Sequence, residues 1–310
     1  MMNTLLDVCA GIGSFSLAAQ RANIPIVAQI EYDKFRTDLL SKCFPETVQL
    51  GDLYDIKATD IPQPVSILAG GTPCPNFSIA GDGSGLDGED SKLWYEYLRL
   101  AQELKPAWVL WENVPNALST NGGLDFLTIL QGLDELGYHV AWRVLDAQYF
   151  GVPQRRRRIF LVGHLEDGRA AKVLFESESV QGSAKTRPKT WDQNTRVIGT
   201  LTKSASGIAR PRGQGAELEF LVYGNQGFGQ PYKETKIGRT ICKSDDSTNS
   251  DLIVFNNFVR RLTPLECERL QGFPDGWTDG YSDNQRYQML GDSIAVPVAQ
   301  WIINRIKEIS

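Results

Sequence analysis

The sequence predicts an α/β fold, in which a mostly parallel sheet with helices on both faces is joined to a smaller domain rich in loops and strands. Strand-like and helix-like patterns alternate through the first 165 residues. Residues 166–257 are instead rich in Gly, Ser, Thr and charge, and helical patterning returns from Thr263 onward. We therefore expect a catalytic domain at 1–165, completed by 258–310, and a second domain at 166–257.

The predicted elements follow one another at the spacing of βα units. Apolar runs predict strands at 4–8, 26–30, 65–69, 108–111, 138–144 and 158–162. Helical periodicity predicts helices at 14–21, 33–43, 94–104, 124–136 and 296–309, and the second domain carries β-like runs at 220–223 and 252–255. In a parallel sheet the strand ends meet at one edge, where loops hold functional groups.

The composition excludes several classes of protein. The chain has 310 residues, of which 42% are hydrophobic, and no stretch approaches the roughly 18 consecutive apolar residues of a membrane span. Its start runs directly into a strand-like segment, so no signal peptide is expected. The five cysteines include no Cys-x-x-Cys pair and the two histidines lie far apart, which disfavours disulfides and metal sites. We expect a cytoplasmic protein without a metal.

The charge is unevenly distributed. A net charge of −5 by itself predicts no nucleic-acid partner. However, residues 185–212 contain seven basic residues and one acidic residue, and further basic clusters lie at 155–158 and 260–261. These clusters fit either a solvated charged face or a surface that binds a polyanion.

The loop after the first strand has features of a ligand-binding turn. Gly11 and Gly13 allow a tight turn and a close approach of a ligand to the N-terminus of the next helix. Ser16 stands at the third small position, so the dinucleotide fingerprint is imperfect.

Acidic residues at the ends of the first three strands favour an adenosine ligand without a pyrophosphate. Asp7 ends the first strand. Glu31 can accept hydrogen bonds from ribose hydroxyls, and Tyr32 beside it can stack on adenine. Asp52, after the third strand, can bind the adenine amino group. S-adenosylmethionine therefore fits better than NAD.

A cysteine between two prolines follows the fourth apolar run. In the segment 70–78, Pro73 and Pro75 restrict the backbone around Cys74 and hold it in a stiff turn. A thiol in this position at a sheet edge indicates a nucleophile more than a core residue.

These motifs resemble those of the bacterial and phage DNA (cytosine-5)-methyltransferases. Residues 70–78 resemble the nucleophile loop, 111–114 the Glu-Asn-Val motif and 153–159 the Gln-Arg-x-Arg motif. Residues 261–274 and 291–298 resemble the segments that follow the family's variable target-recognition domain. Residues 166–257, which carry none of these motifs, lie where the family has that domain. The resemblance implies a Rossmann-like fold of S-adenosylmethionine-dependent methyltransferases.

The resemblance also implies a reaction and its residues. A Cys74 thiolate would attack carbon 6 of a cytosine flipped out of a specific duplex site, and Glu112 would protonate or hydrogen-bond ring nitrogen 3. Carbon 5 would then take a methyl group from S-adenosylmethionine. Arg156 and Arg158 would assist the thiolate and contact the base oxygen.

The remaining implied site residues bind the cofactor or the DNA. The cofactor-binding set is Asp7, Cys9, Ala10, Gly11, Gly13, Ser14, Phe15, Glu31, Tyr32, Asp52, Leu53, Gly71, Pro73, Asp292 and Ser293. The DNA-binding set is Ser78, Gln154, Arg155, Arg157, Arg210 and Arg212. Double-stranded DNA is the expected partner of a monomeric enzyme, and a cognate restriction endonuclease is a second partner that the resemblance implies.

The sequence departs from the family pattern at four places. Cys9 replaces a common Phe, Pro75 a common Gln and Asp292 the usual Asn, while acidic residues occupy the loop at 79–93 where relatives carry basic ones. None of these groups forms or breaks a bond in the reaction. We therefore expect activity with altered affinity.

Three other functions compete with this interpretation. An RNA cytosine-5 methyltransferase of the same fold would carry a Cys-Phe-Thr signature, which the sequence lacks. A catalytically silent paralogue would not need Cys74, Glu112 and the two arginines. A nicotinamide-dependent oxidoreductase is disfavoured by the imperfect glycine pattern.

Overall fold

The computed structural model describes residues 3–62, 64–72, 92–175 and 258–310, together with strands at 221–224, 233–235 and 252–255. The strands are β1 Leu5–Val8, β2 Ile26–Ile30, β3 Val48–Leu50, β4 Ile67–Gly70, β5 Trp108–Asn113, β6 Tyr138–Asp146, β7 Arg157–Leu165, β8 Leu221–Gly224, β9 Lys233–Thr235, β10 Leu252–Phe255 and β11 Phe258–Arg260. The helices are α1 Ser14–Arg21, α2 Lys34–Cys43, α3 Lys92–Leu104, α4 Leu124–Glu135, α5 Arg169–Leu174, α6 Pro264–Gln271, α7 Asp283–Asp292 and α8 Val296–Ile309.

Seven strands form one sheet in the order β3-β2-β1-β4-β5-β7-β6. Strands β1 to β5 pair in parallel, and β7 pairs antiparallel with β5. The short connection from β6 to β7 holds only a single 3-10 turn, so it lacks the crossover that a parallel return requires. The predicted mostly parallel α/β fold is confirmed, with one antiparallel strand inside it.

The core lies around the central strands. All residues of β1, β4 and β5 are buried, as expected for parallel strands covered on both faces. On α3, the Trp94 ring packs 5.6 Å from the Tyr97 ring and 5.7 Å from the Trp111 ring of β5. The Tyr97 hydroxyl donates to the carbonyl of Leu68 at 2.9 Å. This packing makes the ends of β4 and β5 a rigid platform.

The chain divides into two compact units, one at 1–145, 157–183 and 299–310 and the other at 146–156 and 184–298. The first contains nearly all of the seven-stranded sheet. The second contains α6, α7 and a four-stranded antiparallel sheet in the order β11-β10-β8-β9. None of the helices in the described part of the chain is long and apolar enough to span a membrane.

The predicted domains stay a prediction, and the two compact units are divided differently from them at two places. Residues 258–298 group with 146–156, because α6 packs against α7 and Gln154 bonds to the end of α6. Helix α5 groups with the first unit, because Arg143 and Arg305 donate to carbonyls at its C-terminal end.

Candidate active site

The loop after β1 contains two glycines in different surroundings: Gly11 faces open space, and Gly13 packs against neighbouring side chains. Gly11 has φ +59°, and a Cβ atom there would meet no heavy atom of the described residues within 4 Å. Gly13 has φ +83°, and a Cβ atom there would lie 2.7 Å from Phe44 and 3.0 Å from Leu40 of α2. Cys9 also adopts a positive φ of 53°. Gly11 therefore offers room for a ligand, whereas Gly13 allows α2 to pack closely.

Glu31 links the end of β2 to this loop. Its carboxylate accepts hydrogen bonds from the backbone N–H of Gly11 at 2.8 Å and of Asp33 at 3.0 Å. The side chain is buried, and burial raises the pKa of Glu31 above its ordinary value. The carboxylate is thus fixed beside the open side of Gly11, where its oxygens retain acceptor capacity.

Asp7 lies beneath the loop and is completely buried. Its Oδ2 atom accepts from the Ser16 backbone N–H at 3.0 Å and from the Ser16 hydroxyl at 2.6 Å. Burial raises the pKa of Asp7 to about 7, although the two bonds from Ser16 lower it. These contacts support a role for Asp7 in holding α1, and a direct contact with a cofactor stays a prediction.

The other cofactor residues predicted in the first unit differ in exposure. Tyr32 exposes 72% of its surface, so its ring is available for stacking. Asp52 is exposed, and one of its oxygens accepts from the Tyr54 N–H at 3.1 Å. Gly71 is partly exposed after β4. Four others are buried, so only their backbone or limited side-chain surface is available to a ligand: Ala10, Ser14, Phe15 and Leu53.

Thr72 anchors the start of the predicted nucleophile loop. Its hydroxyl accepts from the Trp111 indole N–H at 2.9 Å, and its carbonyl accepts from the Asn113 side chain at 3.2 Å. Both partners lie on β5, which also carries Glu112. Cys74 follows Thr72 by two residues, and it lies outside the described residues together with Pro73 and Ser78.

Glu112 and Arg158 form an ion pair between neighbouring strands. Arg158 Nε lies 3.1 Å from Glu112 Oε1, and the side chains are 15% and 11% exposed. Burial lowers the pKa of Arg158, and the charge of Glu112 opposes that shift. The structure thus joins two of the predicted catalytic side chains.

In the second unit, two buried side chains donate to backbone carbonyls near the predicted cofactor residues 292 and 293, and a third buried side chain donates to one of them. Arg156 Nη2 donates to the carbonyls of Gly291 at 3.1 Å and Ser293 at 2.6 Å. Gln271 donates to the carbonyl of Leu290 at 2.7 Å, and Gln154 donates to Gln271 at 3.2 Å. Ser293 itself is buried, whereas Asp292 is partly exposed.

These contacts support positioning roles for Arg156 and Gln154. Catalytic contact by Arg156 and DNA contact by Gln154 stay predictions. The other predicted DNA contacts are less enclosed: Arg157 is exposed, and Arg155 Nε lies 3.6 Å from Asp146 in the second unit. Arg210 and Arg212 lie outside the described residues.

Several polar residues that organise the site have no role predicted from the sequence. Thr72 and Asn113 join β5 to the start of the predicted nucleophile loop, and Gln271 donates to carbonyls of residues 290 and 293. Gln29 joins Ser16 to β2. The sequence carries one signal of this role: Gln29 stands inside the apolar run 26–30. A polar side chain in a buried strand needs a hydrogen-bond partner, so a buried polar contact could have been predicted there.

A family model for the C-5 cytosine-specific DNA methylases matches residues 3–308. The chain belongs to this family. The cytosine-5 methylase is 32% identical to the type II methyltransferase M.SsoII of Shigella sonnei, over 97% of this chain and 79% of the relative. It is 29% identical to the type II methyltransferase M.FnuDI of Fusobacterium nucleatum, over 98% of this chain and 94% of the relative. It is 28% identical to the type II methyltransferase M.HhaI of Haemophilus parahaemolyticus, over 97% of this chain and 93% of the relative.

Solved structures support the fold of this methylase. A DNA modification methyltransferase, described as putative and encoded within an E. coli prophage, superposes with a TM-score of 0.66 at 20% identity, over 99% of both chains. The Dnmt2 methyltransferase of S. pombe gives a TM-score of 0.62 at 17% identity, over 99% of this chain and 98% of that one. The predicted methyltransferase fold is confirmed, and the chain is a DNA (cytosine-5) methyltransferase.

Proposed function

We propose that this methyltransferase acts on a cytosine flipped out of double-stranded DNA, with S-adenosylmethionine as methyl donor and Cys74 as nucleophile. The observation that carries the proposal is the Glu112–Arg158 ion pair on β5 and β7, beside the β5 anchor of Thr72. Both features lie at the carboxyl end of β5, where ligands bind in open α/β sheets.

The residues after β1, β2 and β3 fit S-adenosylmethionine. Gly11 leaves open space at the N-terminal side of α1, and the fixed Glu31 carboxylate can accept bonds from ribose hydroxyls. The exposed Tyr32 ring can stack on adenine, and Asp52 can accept from the adenine amino group. The bound cofactor would supply an electrophilic methyl group on a sulfonium.

The chemistry then falls to the protein side chains. The Cys74 thiolate would form a bond to carbon 6 of cytosine, and Glu112 would share a proton with ring nitrogen 3 to stabilise the enamine. Carbon 5 would gain the methyl group and lose its proton, and the bond to Cys74 would break as the ring regains aromaticity. Arg158 would keep the Glu112 carboxyl oriented and donate to the base oxygen.

Covalent trapping tests this mechanism. A duplex with 5-fluorocytosine at the target should form a stable adduct with the enzyme in the presence of S-adenosylmethionine, because fluorine cannot leave as a proton does. Cys74→Ala should form no adduct, and an adduct in that variant would remove Cys74 from the mechanism. Glu112→Gln should bind the same duplex with unchanged affinity and react at least about 100-fold more slowly.

The target site and the genomic role require a test in cells. Bisulfite sequencing of DNA from cells that express the chain would identify each methylated cytosine and its flanking sequence. If the chain protects host DNA, as its similarity to type II methyltransferases suggests, the methylated site should match that of a co-encoded endonuclease. We expect the methylase to act as a monomer, which sedimentation would check.

A further inference from the structure

A chain of polar side chains crosses the first three strands beneath the predicted cofactor site. Gln49 Nε2 donates to Gln29 Oε1 at 2.6 Å, and Gln29 Nε2 donates to the Ser16 hydroxyl at 2.6 Å. The Ser16 hydroxyl donates to Asp7 Oδ2 at 2.6 Å. Asp7, Ser16 and Gln29 are each at most 1% exposed. A buried chain of this length is costly unless its bonds remain formed.

The direction of these bonds is fixed when Asp7 is ionised, above its pKa of about 7. An ionised Asp7 can only accept, so it takes the single hydroxyl proton of Ser16. The Ser16 oxygen must then accept from Gln29, which orients the Gln29 amide. The Gln29 oxygen in turn accepts from Gln49. All donors along the chain therefore point toward the Asp7 carboxylate.

Each strand residue of this chain lies shortly before a predicted cofactor contact. Asp7 pairs in register with Gln29, and Gln29 with Gln49, so the three side chains line one face of the sheet. Asp7 precedes the glycine loop, Gln29 lies two residues before Glu31, and Gln49 lies three residues before Asp52. The hydrogen bonds therefore tie together three strand ends that the cofactor would contact.

We infer that Ser16, Gln29 and Gln49 are positioning residues for the methyl donor. The chain that they form with Asp7 sets the spacing of the glycine loop, Glu31 and Asp52, and thereby the affinity for S-adenosylmethionine. This inference rests on the proposed cofactor. It assigns no contact with the reacting atoms to these four residues.

Isothermal titration of S-adenosylmethionine into the full chain without DNA tests the inference. Methionine matches glutamine in length and lacks the amide, so Gln29→Met should weaken binding about 3- to 30-fold. Affinity for duplex DNA should not change. The matched control is Gln20→Met, because Gln20 is exposed on α1. This control variant should bind S-adenosylmethionine with the affinity of the wild type.

A double variant separates positioning from stability. Gln29→Met removes the side-chain acceptor of the Gln49 amide, which keeps only the longer 3.3 Å bond to the Thr47 carbonyl, so this variant should melt at a lower temperature. The Gln29→Met, Gln49→Met variant removes both amides and should regain the melting temperature. Its affinity for S-adenosylmethionine should stay low. Recovery of affinity together with stability would show a structural role alone and overturn the inference.

The pH dependence of cofactor binding gives a second readout. Among the described elements packed against Asp7, the charged group that acts on it is Glu31. The neighbouring residue on α1 is Ser16, and the residue paired with Asp7 on β4 is Ala69; neither is charged. Cofactor binding should strengthen as Asp7 ionises near pH 7. Ser16→Ala removes a bond that lowers the pKa of Asp7, so the inflection should move to higher pH. Cofactor affinity that is unchanged in Ser16→Ala at every pH would contradict the inference.

The outcomes distinguish the inference from the proposed function. If the wild type binds no S-adenosylmethionine, both the proposed cofactor and the inference are wrong. If the wild type and Gln29→Met bind S-adenosylmethionine equally, only the inference is overturned.

Discussion

Arg158 Nε lies 3.1 Å from Glu112 Oε1 at the end of the central strands, where Glu112 of β5 is paired with Phe160 of the antiparallel β7. The two side chains come from neighbouring strands that share a continuous ladder of backbone bonds. That ladder fixes the backbone at Glu112 and immediately next to Arg158. The geometry therefore presents a carboxyl group whose position is set by the sheet and whose orientation is set by a guanidinium.

Arg158→Lys should reduce the methylation rate by about 100-fold, because lysine keeps the charge and loses the planar fork that orients Glu112. Single-turnover kinetics with saturating DNA would measure the rate. Arg169→Lys is a matched control, since Arg169 pairs with Asp167 at the surface and its loss should change the rate less than about twofold. Equal rates for Arg158→Lys and the wild type would exclude Arg158 from the mechanism.

Thr72→Val should slow covalent trapping and lower the free energy of unfolding by about 1–3 kcal/mol. Valine has the shape of threonine, but it leaves the buried Trp111 indole N–H without its acceptor. Urea denaturation and the rate of 5-fluorocytosine adduct formation would measure the two effects. Thr128→Val on α4 is the control, because the Thr128 hydroxyl bonds only within its own helix at Leu124. A normal trapping rate in Thr72→Val would show that this anchor does not position the nucleophile loop.

Arg156→Met should destabilise the protein by roughly 2–4 kcal/mol, because the carbonyls of Gly291 and Ser293 each lose a buried donor. The variant should also weaken S-adenosylmethionine binding, since these carbonyls flank Asp292, which is a predicted cofactor contact. Arg155→Met is the control for stability, because Arg155 is partly exposed and its change should cost less than about 1 kcal/mol. If Arg156→Met is stable and binds cofactor normally yet cannot methylate, Arg156 acts in the chemistry instead.

Ionisation of Asp7 should make the protein less stable as pH rises. The pKa of Asp7 is about 7 in the folded protein against 3.8 for an unperturbed group, so the folded state holds the proton more tightly than the unfolded state. Stability is therefore lost between about pH 4 and pH 7, by up to about 4 kcal/mol.

The Asp7→Asn variant tests this dependence, because asparagine does not titrate. Urea denaturation at pH 5 and pH 8 should show that the variant gains stability relative to the wild type at the higher pH. Asp38→Asn is the control, since Asp38 lies in an exposed pair with Lys42 and should leave the pH dependence unchanged. Parallel pH profiles for Asp7→Asn and the wild type would contradict the assigned pKa.

Local patterns were enough to predict most of the fold. The helices at 14–21 and 296–309 and the strands at 26–30 and 252–255 match residue for residue, because each has a clear periodicity or apolar run. The direction of β7 was not predictable in this way. It depends on the short connection after β6, which allows only an antiparallel return.

The sequence by itself determined the α/β class, the glycine loop and the residue types that the reaction requires, since motif spacing is local information. The tertiary structure decided which of these residues meet. It pairs Arg158 with Glu112, it directs the guanidinium of Arg156 to the carbonyls of Gly291 and Ser293, and it buries Gln29 beneath the loop. Buried polar groups must find partners, and only the folded chain fixes which partners lie within reach.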